Sequence, residues 1–75
     1  MLNTSEAQFA VALAERVRSL RLQQALSQQE LADRAGLSRN VIINLERGTR
    51  LAHPRSVRKV ARALGVHPTA ITLGA

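Results

Sequence analysis

Apolar residues recur along the chain in a helical rhythm. Phe9, Leu13, Val17 and Leu20 are spaced four, four and three apart, the stripe of an amphipathic helix. Thr4 or Ser5 is placed to cap its start, and the pattern carries it to about Gln24. Ser27 followed by Glu30 is a capping box, which opens a second helix over Gln28 to Ala35 that buries Leu31, Ala32 and Ala35. Gly36 ends it in the left-handed conformation that a last turn needs. Ser38 caps a third helix, Arg39 to about Arg47, stopped by Gly48. A loop over Thr49 to His53, in which Leu51 is expected to pack inward, leads to Pro54 at a first helical position. The fourth helix, Pro54 to Leu64, presents Val57, Val60, Ala61 and Leu64 to a core and closes at Gly65. Pro68 opens a last short helix through Leu73. No strand alternation, internal repeat or low-complexity linker interrupts this, so the pattern predicts an all-α fold.

The second and third helices are joined only by Gly36-Leu37-Ser38, too little chain for a parallel pair. They must cross steeply, which is the helix-turn-helix arrangement. At about 100° per residue, Ile42, Leu45 and Glu46 fall on one side of the third helix. Asn40, Ile43, Asn44 and Arg47 fall on the other, with Arg39 at the edge near the amino end. Asparagine carries the paired donor and acceptor that match an adenine edge, arginine a fork that matches guanine, and isoleucine an apolar surface that suits a thymine methyl. The amino ends of both helices add free N–H groups and a positive dipole end for phosphates. An outer face of Arg and Asn is also ordinary for a surface helix, and Ile43 equally suits a subunit contact. The pattern alone leaves both readings open.

Length and charge narrow the choice. At 75 residues the chain has room for one domain, residues 1–75, with a small aliphatic core containing a single Phe and no Trp or Tyr. So small an interior is often only marginally stable alone, which points to a partner subunit. There is no cysteine for a disulfide or thiolate metal site, no apolar run long enough to span a membrane, and no basic, apolar leader. A cytoplasmic, nucleoid-associated protein is expected. Residues 1–37 hold four basic against four acidic side chains, whereas residues 38–75 hold seven against Glu46 alone. The whole excess of +6 therefore sits in one half, and arginine outnumbers lysine ten to one. A one-sided basic surface suits a polyanion, and arginine suits phosphates and guanine edges.

Catalytic chemistry is missing. His53 and His67 stand fourteen apart with no cysteine or neighbouring carboxylate, Ser27 and Ser38 are occupied as caps, and no glycine-rich phosphate loop occurs. The basic run Arg55 to Arg62 lacks the Trp or Phe of a membrane-surface helix. No enzyme activity, metal or cofactor is expected.

Several spaced signals then stand in one register: Leu20-Arg21, LSQ-x-x-LA at Leu26 to Ala32, AGLS at Ala35 to Ser38, I-x-x-LERG at Ile42 to Gly48, and ARALGV at Ala61 to Val66. Together they resemble the lambda-repressor-like regulators, also called the Xre family, from about Val17 to Leu73. The resemblance implies a compact five-helix domain whose helix-turn-helix proper spans residues 28–47. It implies a transcriptional regulator, most readily a repressor, that binds a two-fold symmetric operator in double-stranded DNA as a homodimer. Carried over by position, Arg39, Asn40 and Asn44 would read bases with Ile43 beside them. Gln28, Ser38, Arg47, Arg50 and Arg55 would meet the phosphate backbone. Arg21 and Glu46 match the family's ion pair between the first and third helices, and Arg21 is also a candidate to face a phosphate.

The residues before Val17 depart from the family's basic arm. They extend the first helix, with Phe9 and Leu13 expected in the core or otherwise in a subunit contact. A dimer would use the region of Val66, Ile71 and Leu73, unless these are the last layer of core. No effector domain follows Ala75 in this chain, so no small-molecule ligand is expected. The rival reading is an antitoxin or accessory interaction module whose basic half grips an acidic protein. RNA binding is disfavoured by the lack of aromatic side chains for base stacking.

Overall fold

The computed structural model describes residues 2–72. Five helices follow in order: α1 (Thr4–Gln23), α2 (Gln28–Ala35), α3 (Arg39–Arg47), α4 (Pro54–Leu64) and α5 (Thr69–Thr72). Among the described residues there is no strand, and no helix is long and apolar enough to cross a membrane. Its 20 residues give α1 a length of about 30 Å, matching the longest dimension of the molecule, 31 Å. Three of the other helices pack against this rod. α1 packs on α3 and α5 and more lightly on α4, while α2 packs on α3 and α4. One large side chain from each helix is sealed completely: Val17, Leu31, Ile42, Val60 and Ile71 are each at most 1% exposed. At roughly 1.5–3 kcal/mol for each such side chain, these five positions bind all five helices into one core.

The ends of α2, α3 and α4 fall where their caps dictate. Ser27 and Glu30 exchange both capping-box hydrogen bonds, with the Ser27 N–H donating to Glu30 Oε1 at 2.8 Å and the Glu30 N–H to Ser27 Oγ at 3.0 Å. These bonds favour the ionised carboxylate and hold Glu30 below the usual carboxylate range, the Ser27 backbone N–H contributing most. The start of α1 differs from expectation. Its cap is Asn3, which forms a capping box with Glu6 (2.8 and 3.0 Å), so Thr4 and Ser5 are already helical. The turn between α1 and α2 is closed by backbone bonds from Leu26 N–H to the Arg21 carbonyl (3.1 Å) and from Ala25 N–H to the Leu22 carbonyl (3.0 Å). This is a Schellman motif with alanine, at φ 56°, in the left-handed position that glycine normally takes.

Two apolar residues lie elsewhere than their pattern suggests. Leu13 is buried, but Phe9 is 43% exposed, because the face of α1 turned inward is that of Ala10, Leu13, Ala14, Val17 and Arg21. Phe9 stands at the edge of that face and is not core. Leu51 also points outward, 40% exposed, and not inward. Ile71 is core and Val66 packs half-buried against the core, which matches the last-layer reading of these two residues. Leu73 lies outside the described residues.

Candidate nucleic-acid interface

Three devices aim α3. At its start the Ser38 hydroxyl accepts the Val41 N–H at 3.3 Å. Along its inner side Ile42 and Leu45 enter the core. At its end Gly48 has φ 66° and lies directly against α1: a β-carbon there would stand 3.1 Å from Ala14 Cβ, 3.2 Å from Val11 Cα and 3.3 Å from the Ala10 carbonyl oxygen. Only a residue without a side chain lets the end of α3 come this close to α1.

A fourth tie is ionic. Arg21 Nε donates to Glu46 Oε2 at 2.7 Å and Nη2 to Glu46 Oε1 at 2.9 Å, a bidentate pair whose side chains are 10% and 5% exposed. Arg21 Nη1 donates to the Leu26 carbonyl at 2.8 Å. The Glu46 hydrogen bond, aided by its charge and opposed by burial, raises the Arg21 pKa above its ordinary value, so the guanidinium stays charged. With all three nitrogens engaged, Arg21 joins α1, the α1–α2 turn and α3. The expected ion pair is therefore present as a fold element. Gln28 Nε2 adds a longer bond to Glu46 Oε1, 3.3 Å, which holds the first side chain of α2 beside α3.

The opposite side of α3 is uncovered. Arg39, Asn40 and Arg47 are exposed, and Ile43 and Asn44 half-buried. The side chains of Asn40 and Asn44 make no hydrogen bond, and those of Arg39 and Arg47 no ion pair, among the described residues. The face is flanked by two hollows. On one side a cleft of about 280 Å³ is lined by Arg18, Arg21, Gln28, Ile43, Glu46 and Arg47. On the other a hollow of about 140 Å³ brings Asn44 together with Val41, Leu45, the Arg50–His53 loop and Ser56. Ile43 thus leans toward the amino end of α2, and Asn44 toward the loop.

Gln28, Ile43 and Arg47 meet at the first hollow, Asn44 and Arg50 at the second, and Arg39 and Asn40 stand exposed in the first turn of α3. Ser38 is spent on its own cap but remains exposed at the start of α3. Arg55 stands apart: it borders neither hollow and groups with Arg58, Lys59 and Arg62 on α4. Arg18 was not singled out by sequence. It sits three residues before Arg21, and that spacing on a helix places it near the same cleft.

Known proteins share this fold. The helix-turn-helix family model HTH_3 matches residues 17–71. The control protein C.BamHI of Bacillus amyloliquefaciens is 40% identical over 55 residues, covering 72% of this chain and 68% of that protein. The crystal structure of the restriction-modification controller protein C.AhdI from Aeromonas hydrophila superposes with a TM-score of 0.79 at 35% identity, covering 83% of this chain and 94% of that one. That of the hypothetical transcription factor NHTF from Neisseria gives 0.81 at 29% identity, over 96% and 84%. The relatives are regulators and not enzymes, in keeping with the absence of catalytic groupings in the sequence. The chain belongs to the helix-turn-helix family of DNA-binding transcription regulators.

Proposed function

We propose that this protein represses transcription as a homodimer that occupies a two-fold symmetric operator, and that the genes it controls belong to a restriction-modification system. Each subunit lays α3 in the major groove, with Asn40 and Asn44 reading adenine edges, Arg39 a guanine, and Ile43 contacting a thymine methyl. Gln28 and Ser38 meet phosphates at the amino ends of α2 and α3, while Arg47 and Arg50 meet the backbone beside them. The observation that carries this reading is the outer face of α3, whose amide and guanidinium groups have no partner among the described residues. A buried lattice fixes the helix on its other side, so these groups are pre-positioned at little entropic expense on binding. The restriction-modification assignment rests on the two controller relatives, one 40% and one 35% identical.

The deciding experiment is selection of bound duplexes from a random pool. Enrichment of two inverted half-sites about one helical turn apart supports the dimeric reading, and a single asymmetric site or no enrichment refutes it. On the selected site, Asn44→Ala should lose roughly 1–3 kcal/mol at one base pair and relax the preference there, whereas Arg50→Ala should weaken all duplexes alike. An equal loss on every sequence for Asn44→Ala, or a selective one for Arg50→Ala, would overturn those roles. A reporter driven through the selected site should fall when the protein is expressed; a rise would make it an activator while leaving the DNA binding intact.

A further inference from the structure

We propose that the outer face of α4 is a second DNA-binding surface, which grips the phosphate backbone of a duplex segment other than the one whose groove receives α3. Arg55, Arg58, Lys59 and Arg62 are all exposed and together line one shallow notch of about 220 Å³, to which no other residue contributes. Their spacing of three, one and three places them on one side of the helix, opposite Val57, Val60, Ala61 and Leu64, which face the core. None of the four borders either hollow beside α3. α4 carries no carboxylate, and among the described residues none of these four cations has an ion pair. Like charges three and four residues apart on a helix repel, and no carboxylate among the described residues pairs with them to offset that here.

The composition of the ridge selects its partner. A protein interface needs an apolar or aromatic anchor at its centre, and a membrane-surface helix needs aromatic or large aliphatic side chains on its inserted face. Between these cations stand no such residues, since the apolar side chains of α4 are turned into the core. Single strands would ask for stacking aromatics, and the only aromatic side chain of FWY type is Phe9, on α1. What remains is a rigid row of charge without insertion, which suits a regular polyanion. From Arg55 to Arg62 the helix rises about 10 Å, a length over which duplex DNA carries about six phosphate charges. Arginine forks on three of the four positions suit bidentate contacts to them. A ridge set apart from the reading helix would let one protein hold flanking DNA bent round it, or a second duplex.

The test uses random-sequence duplex DNA of about 40 base pairs, so it does not depend on any operator and stands or falls separately from base reading by α3. Affinity is measured over a salt series for the wild type, for R58A/K59A/R62A, for the α3-face variant N40A/R47A/R50A, and for both sets combined. Circular dichroism confirms that each retains its helices. The ridge variant should bind more weakly by about tenfold or more at low salt, with a log–log salt slope shallower by about 2 to 3 per subunit. The α3-face variant should retain that component and the combined variant should lose it. The charge-conserving variant R58K/K59R/R62K should keep the wild-type salt slope. An unchanged slope in R58A/K59A/R62A overturns the proposal. So does a combined loss no greater than that of the α3-face variant alone, which would make both faces parts of one contact. Competition by polyglutamate stronger than by duplex at equal charge would assign the ridge to an acidic protein instead.

Discussion

Gly48 is the position at which the aim of α3 can be changed without touching a side chain of its outer face. Two separate penalties meet there. Its φ of 66° is left-handed, a conformation that costs an L-residue about 1–2 kcal/mol. Replacing glycine also restricts the unfolded chain, which returns roughly 0.4–1 kcal/mol. Gly36 has the same φ, 66°, but a β-carbon added to it meets nothing within 4 Å. Gly36→Ala therefore isolates the backbone effect, about 0.5–1.5 kcal/mol after the unfolded-state gain. At Gly48 the added carbon stands 3.1–3.3 Å from Ala14 and from the backbone of Val11 and Ala10, atoms of a helix middle that cannot swing aside. Overpacking of this kind adds about 1–3 kcal/mol. Gly48→Ala should thus cost about 2–4 kcal/mol in urea unfolding, and for a domain of this size each kilocalorie lowers the melting temperature by roughly 4–8 °C. Relief of the contact must push the end of α3 away from α1, so DNA affinity should fall even where the variant remains folded. Equal destabilisation by the two substitutions would show that the α1–α3 approach is not tight and would refute the argument.

The remaining predictions concern the turns and the buried pair. Ala25→Gly, at φ 56° in the α1–α2 turn, should raise stability by up to about 1 kcal/mol, because relief of the left-handed strain exceeds the added freedom of the unfolded chain; a lower urea midpoint would contradict it. Glu46→Ala leaves Arg21 buried and charged and should cost about 3–5 kcal/mol, whereas replacing both partners, as R21M/E46L, should recover a large part of that loss. Equal losses for the single and double variants in urea titrations would show that the charge is not stranded. For Glu30 the sign follows from a lowered folded-state pKa. Its capping contribution is present above the ordinary value of 4.5 and is lost as pH falls through the lower folded value. The stability difference between wild type and Glu30→Gln should therefore shrink on going from pH 7 to pH 3, and a constant difference would exclude it.

The bounds of α2, α3 and α4 were legible residue by residue because each carries its own punctuation: Ser27 and Gly36, Ser38 and Gly48, Pro54 and Gly65. The cap of α1 carries the same signal, since Asn3 stands three before Glu6 as Ser27 stands three before Glu30, although the hydroxyls of Thr4 and Ser5 just after it are also cap formers. Phe9 and Leu51 were not legible. Hydrophobicity marks a residue that gains from burial but does not say which way a helix is rolled. The roll of α1 is set by Ala10 and Ala14, small residues that admit Gly48 and so turn Phe9 to the edge. Of the α3 face, the division into an Ile43 side and an Asn44 side depends on where the α2 start and the Arg50–His53 loop come to rest, which is tertiary information.

What positions α3 and what α3 presents are chemically separate. Its hold on the domain consists of Ser38 with its own Val41 N–H, Ile42 and Leu45 in the core, Glu46 with Arg21, and Gly48 against α1. None of these uses a side chain from the Asn40, Ile43, Asn44 and Arg47 face. That face can therefore be replaced without loosening the helix, and a change in what is read need not alter stability. The converse does not hold. Glu46 bonds Gln28 as well as Arg21, so disturbing the ion pair also frees the first side chain of α2, which lines the same cleft as Ile43 and Arg47. Loss of stability and loss of backbone contact should then appear together at Glu46, whereas at Asn40 and Asn44 recognition should change alone.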